Sequence, residues 1–239
     1  MLLLLPDVAI KSIYILAAVL PAAFLMRYIY KHDKVEKEPV GLLISLLLMG
    51  IPSAIVSIVL ESVGEAILNK TVNSELTSYT IILAFVVVAM VEEGAKFFFL
   101  KIRTWKNPHF NYRFDGVVYA VFVSLGFAAV ENIGYVFSNG LYVAFIRALT
   151  AVPAHMGFAV FMGLFYARAK LFEKRGEKGA KTANMFAAYA MPVFLHGFYD
   201  ACAMIGNVIA TLLFILFVIV MYIIVILVIK REARTDTAV

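Results

Sequence analysis

The chain is poor in what a water-soluble enzyme displays on its surface. Only 15% of its residues are charged, whereas a soluble domain carries ~25%. It has one cysteine, Cys202, which excludes an intramolecular disulfide and leaves the redox compartment unread. No polar stretch is long enough for a separate soluble module. Two familiar hydrolase signatures are also missing. There is no His-Glu-x-x-His, which places two zinc-binding histidines on one helical face, and no Gly-x-Ser-x-Gly nucleophile elbow.

What the chain does have is hydrophobic length. Its 239 residues are 63% hydrophobic, with a mean hydropathy of +0.92. That composition places it among polytopic all-α membrane proteins, as one membrane-embedded domain over 1–239 with a motif-bearing core at about 79–206. Apolar runs of spanning length predict seven helices, near 12–30, 40–60, 79–100, 115–137, 141–167, 185–206 and 208–229. Pro21, Pro153 and Pro192 are expected to kink the first, fifth and sixth. Gly and Asn mark tight turns at 138–140 and 206–208. The outer connection is expected to cover 61–78, as a loop, short interfacial helix or lid. Met1–Pro6 lacks the basic region of a cleavable signal, so the first span is expected to be retained.

Charge then orients the bundle. Seventeen of the 21 Lys and Arg residues fall in alternate connections and the tail. Under the positive-inside rule, seven spans put the N-terminus outside and the C-terminus in the cytoplasm. The net charge of +5 therefore reports orientation and anionic headgroups, not nucleic acid.

Eight ionisable side chains interrupt these apolar runs. Each costs ~2.5–3.5 kcal/mol at a bilayer centre on insertion scales, so such residues are rare and usually functional. Six of them form three short motifs: Glu92-Glu93-x-x-Lys96, Phe127-x-x-x-Glu131-Asn132 and His196-Gly197-x-x-Asp200. Arg147 and His155 lie on the remaining segment. Counted at ~1.5 Å per residue, Glu92, His155 and His196 share one depth, with Glu131 and Arg147 nearer the outer turn. Lys96 shares a helical face with both glutamates, and His196 shares one with Asp200. Two neighbouring carboxylates in low dielectric do not both ionise readily, which suits a general acid or base. The competing reading of each motif is structural: a buried ion-pair cluster at 92–96, packing histidines, and a Glu131–Arg147 pair bridging two helices.

These motifs, with Pro153-Ala154-His155, run in order along successive spans and resemble the PrsW family of intramembrane proteases. That family belongs to a superfamily with CAAX-prenyl endopeptidases and bacteriocin-processing enzymes. The resemblance covers roughly 88–202. It implies a membrane endopeptidase of the prokaryotic cell membrane whose best-known role is regulated proteolysis of a single-pass anti-sigma factor. By the same resemblance Glu92 and Glu93 are the paired glutamates and His196 is the histidine of the last motif. Glu131 stands where the wider superfamily often has histidine, and Lys96 replaces a later arginine.

The candidate catalytic set is thus Glu92, Glu93, His196, His155, Glu131 and Asp200. Two routes are open for a peptide bond in a membrane-protein substrate. In one, His155, His196 and Glu131 hold zinc; in the other no metal takes part and a glutamate activates water directly. His196 is expected to steady the water or oxyanion, and Asp200 or Asn132 the carbonyl. No Asp pair like that of aspartyl intramembrane proteases is apparent. The alternatives are a proton-coupled transporter built on the same Glu/His/Asp cluster, and a non-enzymatic scaffold. The sequence leaves the oligomeric state open.

Overall fold

The computed structural model describes residues 7–239; Met1–Pro6, read above for a signal, lies outside the described residues. Helices account for nearly all of the described chain. They are α1 (Asp7–His32), α2 (Val40–Thr71), α3 (Thr77–Ile82), a π-helical segment (Leu83–Ala89), α4 (Met90–Thr104) and α5 (Arg113–Asn139). Then follow α6 (Leu141–Leu149), α7 (Ala151–Lys174), α8 (Lys178–Ile205) and α9 (Val208–Arg234). Five stretches are long and apolar enough to cross a membrane: α1, α2, α5, the consecutive α6 and α7, and α9. The other two expected spans are helical as well: one is divided among α3, the π-helical segment and α4, and the other lies within α8.

The expected turns form where glycine permits them. Gly140 and Gly206 adopt φ of 87° and 71°, a region that costs glycine little and other residues much. Two boundaries differ from expectation. The 61–78 connection is mostly helix, because α2 runs on through Thr71. At 32 residues it is ~48 Å long, well beyond a ~30 Å hydrocarbon core. Leu68 in its last turns is buried against Tyr79 and Val87, which holds the extension to the α3 segment. The fifth span is broken rather than kinked by proline. Thr150 leaves helical geometry at φ −121°, ψ −79°. Pro153 then falls in the first turn of α7, where its missing N–H costs nothing.

α5 is the axis of the bundle. Every residue from Phe114 to Ala129 is buried, as expected for a helix that is apolar all round. Helices in lipid gain little from hydrophobic burial against each other, so close association relies on small residues at the crossings. Two glycine contacts supply it here. A Cβ on Gly126 would stand 2.2 Å from the Leu47 carbonyl oxygen of α2, and one on Gly163 of α7 would stand 2.3 Å from the Gly116 oxygen. α2 and α7 therefore touch the α5 backbone directly.

The basic connections gather at one end of the bundle. Asn111 donates to Glu36 at 3.1 Å, Arg113 pairs with Glu232 at 3.0 Å, and Trp105 donates to Glu173 at 3.3 Å. The C-terminal residues lie across the same end, with Arg113 N–H donating to Thr237 O and Val239 N–H to Asn111 O.

Replacing Gly126 with alanine should lower stability by about 1–3 kcal/mol, the usual cost of overpacking against an unyielding neighbour. Thermal unfolding in detergent checks this. Gly179→Ala, where an added Cβ meets nothing within 4 Å, should leave the transition unchanged.

Candidate active site

Glu92 and Glu93 sit in the first turn of α4, directly after the π-helical segment. A π turn is an uncommon widening that recurs at functional sites. Here it receives α8: a Cβ added to Gly197 would lie 2.4 Å from the Phe85 ring. Only glycine allows this approach, and it brings the neighbouring His196 up to the two glutamates. From Met90 onward the helix is regular α, so Lys96 returns over both carboxylates at i,i+4 and i,i+3.

The Lys96 ammonium is the hub of the cluster. It donates to Glu92 Oε2 at 2.9 Å and to Glu93 Oε1 at 2.8 Å, and lies 3.2 Å from His155 Nδ1. It also stands 4.0 Å from the centroid of the Phe127 ring, a favourable cation–π arrangement. An ammonium has only donors, so His155 Nδ1 accepts and its Nε2–H donates to Glu131 Oε2, 2.9 Å away. Ser124 of α5 donates to the His155 backbone oxygen at 3.0 Å. His155 is therefore fixed as one neutral tautomer between a cation and an anion.

His196 has the opposite surroundings. Its Nδ1 lies 2.9 Å from Glu93 Oε1 and 3.9 Å from Glu92 Oε2, while Nε2 lies 3.2 Å from Asp200 Oδ2. Both ring nitrogens face carboxylates, so Glu93, His196 and Asp200 share one proton more than a neutral imidazole brings. Phe158 stacks on the His196 ring at 4.9 Å, and the two histidine rings meet edge-on at 5.4 Å.

Glu131 completes the chain of charges. It pairs with Arg147 at 2.9 Å, and Arg147 Nε donates to Asn132 Oδ1 at 2.8 Å. Asn132 in turn donates to the Ala18 carbonyl at 2.8 Å. Fully buried, it ties α1 to α5 and does not line the cavity above the cluster, where a substrate carbonyl would lie. The six candidate catalytic residues thus converge, and Glu131 also makes the ion pair with Arg147 that its position suggested.

A cavity of about 770 Å³ opens above this cluster. Glu92, Glu131, His155, His196 and Asp200 line it, whereas Glu93 and Lys96 do not. That separates the two glutamates chemically. Glu92 reaches the space where water and substrate would meet; Glu93 lies behind it, holding Lys96 and His196. The cavity continues to Asn139 of α5 and Met204 of α8, at the end opposite the basic connections. Its wall includes Glu61, which a sequence reading that ended α2 at residue 60 placed in a loop. Continuation of helix-forming residues through Ala66-Ile67-Leu68 is the signal that would have found it.

Glu92, Glu93, His155 and His196 bring ligand atoms within 4.8 Å of one another, and such a group could hold a metal ion. Lys96 already contacts three of these four residues. A divalent ion on the same donors would set a second positive centre beside a buried ammonium, so the group fits an ion only with Lys96 displaced.

A family model described as PrsW family intramembrane metalloprotease matches residues 38–228. Among curated relatives, Protease PrsW of Clostridioides difficile (strain 630) is 36% identical over 211 residues, covering 87% of this chain and 86% of that protein. Protease PrsW of Geobacillus kaustophilus is 33% identical over 188 residues, 77% of this chain and 76% of the relative. Protease PrsW of Bacillus subtilis (strain 168) is 30% identical over 188 residues, 77% and 79% respectively. No solved structure matches the chain.

Lys96→Met should cost about 3–5 kcal/mol, because it strands two buried carboxylates without a cation. Unfolding in detergent should show part of that loss recovered when Glu93→Gln, which neutralises one of the two, is added to the same chain.

Proposed function

Because the chain belongs to the PrsW family of intramembrane proteases, we propose that Glu92 is the general base of a peptide-bond hydrolysis carried out in the cavity above Lys96. The chain is an integral protein of the prokaryotic cell membrane and a membrane peptidase. The observation that carries the assignment is the split between the paired glutamates, with Glu92 in the cavity wall and Glu93 behind it.

Lys96 holds Glu92 through Oε2, which leaves Oε1 to take a proton from water. The activated water attacks the scissile carbonyl carbon and the carbonyl oxygen becomes an oxyanion. The proton-bearing His196 ring, fixed between Glu93 and Asp200, and the Arg147 guanidinium stand at the cavity to meet that charge. Glu92 then returns its proton to the departing amine, and the C–N bond breaks. His155 and Glu131 keep the ammonium and guanidinium in place through their mutual contact.

This route needs no metal. Zinc held by histidine and carboxylate would supply Lewis acidity, yet Lys96 already provides positive charge at the donors it would use. The substrate is a membrane protein, in this reading a single-pass one. With the basic connections on the cytoplasmic side, the cavity opens away from the cytoplasm, so the scissile bond enters from the outer half of the bilayer.

New membrane-protein termini should appear in cells carrying the wild type and be absent with Glu92→Gln or His196→Ala at matched expression. In purified form the Glu92→Gln rate should fall about 10²-fold or more. Identical termini in all three would sink the general-base assignment. Purified wild type should carry zinc well below one ion per chain and keep its activity in a chelator. Stoichiometric zinc, with chelator inactivation reversed by added Zn²⁺, would establish the metal route instead.

A further inference from the structure

Glu61 is the one cavity-lining carboxylate that the catalytic cluster does not use. It projects from α2 into the wall, beside Ser57 and Ile58 and on the same cavity as Glu92 and Glu131. Every other acid there has a partner: Glu92 has Lys96, Glu131 has Arg147 and His155, and Asp200 has His196. Glu61 forms no ion pair among the described residues, and its Oε1 is enclosed without a hydrogen-bond partner. It is nonetheless within electrostatic reach of Glu92, Glu131, Lys96 and His196.

An enclosed carboxylate oxygen without a donor is costly, and buried polar groups are nearly always satisfied. The one Lys or Arg among the described residues that lines the cavity, Arg147, makes its contacts to Glu131 and Asn132 and none to Glu61. What fills the cavity is the open source of a donor for that oxygen. Resting on the protease reading above, we infer that Glu61 is a substrate-binding residue, whose carboxyl accepts a hydrogen bond from an N–H group of the membrane-protein substrate near its scissile bond.

That N–H has two sources, a backbone amide or a basic side chain, and α2 suits either. An extended substrate strand entering between α2 and the α5–α6 wall brings backbone N–H groups that a bilayer cannot satisfy. A Lys or Arg brings a cation that would balance the unpaired acid. Glu61 makes no hydrogen bond or ion pair with Glu92, Lys96, His155 or His196, so it would position the chain rather than take part in proton transfer.

The test uses full-length protein in proteoliposomes and a single-pass substrate identified by the termini experiment. Its residues within four positions of the cut are changed one at a time to Lys or Gln. Steady-state rates are measured for the wild type, Glu61→Gln and Glu61→Leu. For a backbone donor, Glu61→Leu should raise KM about tenfold on every reporter with little change in kcat, and Glu61→Gln should restore most of the loss. For a basic side chain, Glu61→Gln should fail like Glu61→Leu, and only on reporters that keep the Lys. Ratios between reporters cancel differences in folded protein. Unchanged KM and unchanged ratios in both variants would overturn this inference and leave the protease reading intact. Wild type as silent as Glu92→Gln on every reporter would overturn both.

Discussion

A lysine ammonium buried in the middle of a helical bundle is the constraint on which the rest of this structure depends. Lys96 is 1% exposed, and an unpaired charge in that position is not tolerated. Its three donors fix the acceptors around it: Glu92 and Glu93 from its own helix, and His155 Nδ1 from α7. Each of those residues then dictates the next. His155 must present its N–H to Glu131, Glu131 calls for Arg147, and Glu93 shares its Oε1 with His196. The polar layer is a single charge-compensated chain that crosses five helices, and removing its first cation unbalances all of it.

Such a chain of contacts at about 3 Å demands helices that approach unusually closely, and lipid offers no hydrophobic force to press them together. Glycine does that work at three places. Gly126 lets α2 touch α5, Gly116 and Gly163 let α5 touch α7, and Gly197 lets α8 meet the π-helical segment. Each crossing places one residue at the cavity: Glu61 on α2, His155 on α7, His196 on α8. The small residues and the ionisable ones form one design, because the second set cannot be satisfied without the first.

Much of this was legible in the sequence. Hydropathy and the alternation of Lys and Arg gave seven helical segments, five of them long and apolar enough to cross by themselves. Helical counting put Glu92, His155 and His196 at one depth, and their contacts agree. Gly140 and Gly206 ended helices where turns were expected. What escaped depended on contacts between helices, which no local pattern encodes. By sequence Asn132, like Asp200, was a candidate to orient the carbonyl. It donates instead to a backbone oxygen of α1, 114 residues away in sequence, and does not line the cavity. The extension of α2 was hidden by Glu61 and Glu65, whose charges read as a loop when only hydropathy is weighed.

The same geometry bears on why the two adjacent glutamates are not redundant. Consecutive residues of a helix point about 100° apart, so one can face a cavity only if the other turns toward a neighbouring helix. Glu93 has taken the inner direction, where it is 0% exposed and its Oε1 serves both Lys96 and His196. Glu92 holds Lys96 through Oε2 and lines the cavity. A carboxylate anchored through both oxygens would be too well satisfied to take a proton, and one anchored through neither would swing away from the water. In the proposed mechanism, holding one oxygen and freeing the other would give a base that is fixed in place yet still reactive.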